Sequence, residues 1–145
     1  MKKRYTVLIF ILILSVFAGC AGRVHVNYKK ANEEFDEYLR GKKLPSYFFS
    51  GYKDFGDYLK YDITGDGYDD LIRLCHYGSG MPRVSFAVYD PINHKGYNID
   101  SYNYSYSIEK CEKGELFVIK YEGRKDESIT GTIIFEDDSL VFVEK

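Results

Sequence analysis

The sequence predicts a mainly β domain, an antiparallel β-sandwich or curled sheet of six to eight strands with one N-terminal helix. Three observations carry that expectation. Apolar and polar residues alternate with a period of two over much of the chain after Tyr61, the pattern of strands with one buried face. Turn-like clusters of Gly, Asp, Asn and Glu separate the alternating runs at short intervals. Helical spacing dominates only one stretch, so the strand–helix–strand repeats of a parallel sheet are missing. A chain of 145 residues has the size of one domain. Its composition, 45% hydrophobic and 29% charged, excludes global disorder and collagen-like repeats. A formal net charge of −2 offers no basic surface for nucleic acid.

The N-terminus comes first in the chain and reads as an address. Lys2, Lys3 and Arg4 form a basic region, and the chain from Val7 to Gly19 is apolar apart from Ser15. Such a run reaches roughly 20 Å as a helix. Its thirteen residues fall short of the ~20 that span a bilayer, so it fits the core of a signal peptide. The run ends in Phe17-Ala18-Gly19-Cys20. Small residues directly before a cysteine resemble the lipobox of bacterial lipoproteins. The resemblance implies cleavage of residues 1–19 and a diacylglycerol on the Cys20 thiol. The mature chain is then an acidic, membrane-anchored protein of the cell envelope. By resemblance to lipoprotein sorting rules, Ala21 rather than Asp after the cysteine implies the outer membrane, facing the periplasm, in a Gram-negative host. An ordinary secretory signal with an incidental cysteine is the alternative. Residues 20–27 become the lipidated cysteine and tether, and 28–145 a single domain.

The helix is expected from Tyr28 to Gly41, capped by Asn27 and ended by Gly41. Tyr28, Ala31, Phe35, Tyr38 and Leu39 share one face. Arg40, Lys42 and Lys43 suit its C-terminal end. Residues 44–61 are aromatic and broken by Pro45, Gly51 and Gly56. Phe48, Phe49, Tyr52, Phe55, Tyr58 and Tyr61 are expected to wedge the helix against the sheet. Strands follow around Val84-Phe86-Val88, Tyr102-Tyr104-Tyr106-Ile108, Phe117-Ile119-Tyr121, Ile133-Phe135 and Leu140-Phe142. Turns are expected at 90–96, 112–114, 123–127 and 136–139.

One stretch carries chemistry. In the segment from Asp62 to Leu71, oxygen side chains fall at positions 1, 3, 5 and 9, with Gly67 at position 6. A hard cation such as Ca²⁺ takes six to eight oxygens at ~2.3–2.6 Å, and a tightly curled loop can supply them. Asp62, Asp66 and Asp70 offer carboxylates, Thr64 a hydroxyl and Tyr68 its carbonyl. The pattern resembles the calcium loops of FG-GAP and VCBS-type β proteins and the first half of an EF-hand. Position 12 is Arg73 rather than a bidentate Glu, and a strand follows, so the strand–loop–strand form closed by Asp70 is the better match. The alternative is an Asp-Gly hairpin turn with solvated acids.

Residues 66–74 with Gly78-Ser79-Gly80 and 84–91 resemble a family of periplasmic lipoproteins related in fold to lysozyme inhibitors. Some members are immunity proteins against lysozyme-like hydrolases. The resemblance implies a protein partner of that class, met through Tyr77, Gly78, Ser79, Gly80 and Met81. A plain hairpin connection is the alternative.

With Cys20 lipidated, Cys75 and Cys111 remain, and two cysteines in an oxidising compartment are expected to pair; two buried thiols are the alternative. Nucleophile, zinc and P-loop signatures are missing, although the many acids leave a carboxylate pair open. The expectation is a binding protein rather than an enzyme. A structural or adhesin-like envelope module is the rival.

Overall fold

The computed structural model describes residues 24–42, 58–77, 83–99, 104–112, 114–122 and 127–145. Helix α1 spans Tyr28–Gly41. Eight strands follow: β1 Leu59–Tyr61, β2 Asp70–Tyr77, β3 Arg83–Asp90, β4 Lys95–Ile99, β5 Tyr104–Glu112, β6 Glu115–Glu122, β7 Ser128–Glu136 and β8 Ser139–Glu144. They form two four-stranded antiparallel sheets, in the orders β1-β2-β3-β4 and β5-β6-β7-β8. Each sheet is a meander, with every strand beside its sequence neighbour. The expected antiparallel sandwich with one helix is the fold observed.

The alternation in the sequence sorts side chains between two interiors. Ile72, Phe86 and Val88 meet Tyr106, Leu116, Val118 and Ile133 between the sheets, with Leu59 and Ile63 at the margin. Leu71, Cys75, Ala87 and Tyr89 occupy the other face of the first sheet, under Ala31, Phe35 and Leu39 of α1. That is why β3 is buried on both faces along nearly its whole length. Phe35 stacks on Tyr89, with ring centroids 5.7 Å apart, a spacing at which aromatic pairs attract. Burying a side chain of this size contributes about 1.5–3 kcal/mol.

Asn27 caps α1, its side chain accepting from the Lys30 N–H at 3.2 Å. At the other end the Lys42 N–H donates to the Tyr38 carbonyl at 3.0 Å. The last turn therefore closes on Lys42 with right-handed backbone, and Gly41 stays helical instead of ending the helix in a left-handed turn. Tyr58 packs on the helix side and Tyr61 on the core between the sheets. The other aromatics of the expected wedge lie outside the described residues. Gly96 matters for a steric reason: a Cβ there would sit 2.4 Å from the Tyr38 ring.

Arg73, only 6% exposed, crosses the helix–sheet layer. Its guanidinium donates to Asp36 and, at 2.5 Å, to Asn32, and lies 5.1 Å from the Phe35 ring centre. Position 12 of the acidic segment is thus a packing and pairing residue. In β5 the register with β6 shifts between Ile108 and Lys110, a β-bulge at Glu109.

Candidate metal centre

The acidic segment is the connection from β1 to β2. Tyr61 pairs with Asp70, so the eight intervening residues must turn back within one strand spacing. Gly65 and Gly67 make this possible with φ of 76° and 87°, a region costly for residues with a Cβ.

The loop is held by its own acids. The Asp62 carboxylate accepts from the Gly65 N–H at 2.7 Å and from the Gly67 N–H at 3.0 Å. Asp66 accepts from the Tyr68 N–H at 2.8 Å. One Asp70 oxygen takes the Ile63 and Thr64 N–H groups at 2.8 and 2.9 Å and the Thr64 hydroxyl at 3.2 Å. Among the described residues the other reaches the Thr64 hydroxyl alone, at 3.4 Å. Asp62 is partly buried, Asp66 is exposed, and Asp70 is completely buried.

Burial pushes the Asp70 carboxyl up to about 6, with the negative charge of Asp90 adding to it. The Thr64 and Ile63 amides and the Thr64 hydroxyl oppose the shift. No cationic side chain pairs with Asp70 among the described residues. Asp90 is nearly as buried, at 1% exposure. Strand register places it at the same end of β3 as Asp70 on β2. It accepts from the Ile92 and Asn93 N–H groups at 2.8 and 3.0 Å and from the Asn93 side-chain amide at 2.7 Å.

The structure therefore gathers Asp62, Thr64, Asp66 and Asp70 into one loop without pointing the acids at a common centre. Among the described residues, no three His, Cys, Asp or Glu side chains form a group able to hold a metal. The donor chemistry still suits a hard cation. Each carboxylate oxygen has two lone pairs; both Asp62 oxygens and one Asp66 oxygen use one on an amide, while one Asp70 oxygen is filled by two amides and a hydroxyl. The Tyr68 hydroxyl faces elsewhere and accepts the Val24 N–H at 2.9 Å.

Tyr77 ends β2, but its side chain and Gly78, Ser79, Gly80 and Met81 lie outside the described residues. Cys75 is a free thiol, fully buried beneath α1. Burial pushes its pKa up to about 11, with Arg73 opposing. It occupies the face of the first sheet turned away from the second sheet, whereas Cys111 belongs to β5 of that second sheet. A disulfide needs Cα atoms about 4.4–6.8 Å apart, so the opposed placement is a physical argument against the expected bridge. The Cys111 side chain lies outside the described residues.

Sequence patterns did not find the second acidic centre. Glu34 on α1 accepts from the Tyr89 hydroxyl at 2.6 Å, contacts His94 Nδ1 at 2.8 Å and pairs with Lys30 at 3.3 Å. The Tyr89 and His94 hydrogen bonds, in that order, hold Glu34 down at about 2, against the effect of its partial burial. The three partners are separated by 55 and 60 positions from Glu34 in two of three cases, so no local motif signals them. Asp90 had a weak signal, an Asp opening a Pro-x-Asn turn. No protein-family model, curated protein or solved structure matches the chain.

Proposed function

We propose that the chain is a lipid-anchored, extracytoplasmic calcium-binding protein that acts by binding a partner, an inhibitor or immunity protein against a lysozyme-like cell-wall hydrolase. Cys20 carries the anchor, and the loop from Asp62 to Asp70 takes Ca²⁺. The observation that carries the calcium part is Asp70. A fully buried carboxylate with only amide and hydroxyl donors lacks the positive charge that usually accompanies a buried ion. A cation shared with Asp62, Asp66 and the Thr64 hydroxyl supplies it. Binding requires the carboxylates to turn inward by rotation about their side-chain bonds, with the amide bonds shared or released. Calcium then rigidifies the end of the first sheet. The partner is met through the segment from Tyr77 to Met81, as the resemblance to lysozyme inhibitors implies.

Two experiments test this. Melting of the protein in EDTA and in millimolar Ca²⁺ should differ, with a gain of about 1.4 kcal/mol at tenfold excess over Kd. Asp66→Ala should abolish that gain. An identical melting temperature in both conditions contradicts the calcium reading. Separately, the protein should inhibit a lysozyme-like hydrolase, and replacing both Tyr77 and Ser79 with Ala should weaken inhibition at least about tenfold, in line with loss of an interface anchor. Full hydrolase activity across a lysozyme panel contradicts the inhibitor reading.

A second reading, a structural or adhesin-like envelope module, draws on the outer face of the second sheet. Tyr121, Ile134, Val141 and Val143 stand exposed there. Register places Ile134 beside Val141 and Thr132 beside Val143 on that face. Assembly of the intact protein into oligomers that Val141→Lys disperses favours this reading.

A further inference from the structure

The two ends of the sandwich differ in how the chain reaches them. At one end lie the loop from Asp62 to Asp70, the β3–β4 turn at 91–94, Gly114 and the Asp137–Asp138 turn. They are tied together: the Tyr61 hydroxyl donates to the Gly114 carbonyl at 2.9 Å, Lys95 pairs with Asp138, and the Tyr97 hydroxyl reaches Asp138 at 3.4 Å. At the other end β2 finishes at Tyr77, and the Val84 N–H donates to the Ser105 hydroxyl at 3.3 Å. The Tyr121–Ser128 pair marks the same end of the second sheet. The eight residues of β2 separate the ends by roughly 26 Å at ~3.3 Å per residue.

The N-terminal segment joins the first end. The backbone N–H of Val24 donates to the Tyr68 hydroxyl at 2.9 Å, so the chain enters the domain beside the acidic loop. Four peptide steps lie between Cys20 and Val24, and fully extended they reach only ~14 Å. With lipid on Cys20, the loop end is confined within that reach of the bilayer, and the opposite end lies a strand length away from the loop end.

We propose that the end carrying the Asp62–Asp70 loop is the membrane-facing surface of the domain, set against phospholipid headgroups, and that the Val24–Tyr68 hydrogen bond fixes this orientation. The inference rests on the lipid-anchor reading of Cys20. It gives that reading a geometry: the domain stands on its loop end and presents the β2–β3 end to soluble partners. Asp66, Asp69, Asp137 and Asp138 are exposed at the standing end. Charged side chains resist entry into hydrocarbon, so this surface faces the headgroups without inserting.

The test uses the full chain, processed in cells and reconstituted into phosphatidylethanolamine–phosphatidylglycerol vesicles. A fluorophore is placed at Glu115→Cys beside Gly114, or at Ser128→Cys at the opposite end, with the labelled parent protein as blank. Both positions are exposed. A quencher on the lipid headgroup should dim the Glu115 label several-fold more than the Ser128 label, and an acyl-chain quencher should dim neither. Tyr68→Phe, which keeps the ring and the backbone carbonyl, should narrow the difference between the two positions. Equal quenching at both ends, or more at Ser128, overturns the orientation. Strong acyl-chain quenching at Glu115 overturns the stand-off, and an unchanged Tyr68→Phe pattern removes the hydrogen bond as its cause. Failure of the protein to float with vesicles refutes the anchor itself. Flotation with equal quenching refutes only the orientation.

Discussion

Glu34 and Asp70 are two carboxylates bound to the same sheet, and their environments drive them in opposite directions. Glu34 is partly exposed and collects a tyrosine hydroxyl, an imidazole and an ammonium group, and it is held down at about 2. Asp70 is fully buried, meets only neutral donors and a neighbouring acid, and is pushed up to about 6. Hydrogen bonds to the ionised form win in the first case and desolvation wins in the second. The difference teaches that the helix side of the first sheet brings its carboxylate a hydroxyl, an imidazole and an ammonium group, whereas among the described residues no cationic side chain reaches the buried carboxylate at the loop end.

The comparison can be broken most forcefully at Asp70. Asp70→Ala leaves the buried Ile63 amide and the half-buried Thr64 amide without an acceptor, and orphaned buried donors cost ~1–3 kcal/mol each. The expected loss is about 3 kcal/mol, read from urea unfolding with an unchanged slope. A loss under about 1 kcal/mol would mean that water reaches those amides.

Next in size is a change on the helix side. Gly96→Ala puts a methyl group into the Tyr38 ring and displaces the Tyr38 hydroxyl from Asn98, which it meets at 2.7 Å. Overpacking costs about 1–3 kcal/mol, and a melting shift of several degrees checks it. Wild-type stability in this variant would show that the ring moves freely.

Glu34→Gln is expected to be smaller, about 1–2 kcal/mol at pH 7, because it weakens charge-assisted hydrogen bonds without removing the acceptor. Its pH dependence sharpens the contrast. Glu34 has a lowered folded pKa, so its contribution is present above the ordinary glutamate value and is lost as pH falls through about 2. The gap between Glu34→Gln and the parent should therefore close in strong acid. A gap of constant size from pH 7 to pH 2 would assign the effect to packing.

The smallest effect is chemical. Native Cys75 should resist alkylation at pH 8 and react only on unfolding, since burial raises its pKa to about 11 and blocks access. Rapid labelling of Cys75 in the native protein would contradict its burial under α1.

Much of the fold was legible because its determinants are local. The 3–4 spacing of Ala31, Phe35 and Leu39 and the alternation through Val84, Phe86 and Val88 each mark a face within a few residues. What was hidden depends on which elements meet. Nothing near Arg73 announces that α1 supplies Asp36 and Asn32 from 37 and 41 positions away. The bulge at Glu109 interrupts an alternation that otherwise reads as continuous. The loop followed the same division. Its glycines and its oxygen spacing were readable, and Gly65 and Gly67 take the left-handed backbone such a loop requires. The engagement of Asp62 and Asp66 with the loop's own amides was not readable, because oxygen spacing alone does not say which donor each oxygen serves.

The proposal that Asp70 takes a cation is tested most directly by stability against pH, from pH 4 to 8, for the parent protein and Asp70→Asn, in EDTA and in millimolar Ca²⁺. A carboxyl with a raised folded pKa contributes stability below its unfolded value and loses it as pH rises through the folded value, here about 6. In EDTA the parent should therefore lose stability relative to Asp70→Asn as pH rises through that value. Calcium should restore the loss above pH 6 in the parent and leave Asp70→Asn unchanged. Superimposable parent curves with and without calcium across the whole range would contradict the claim.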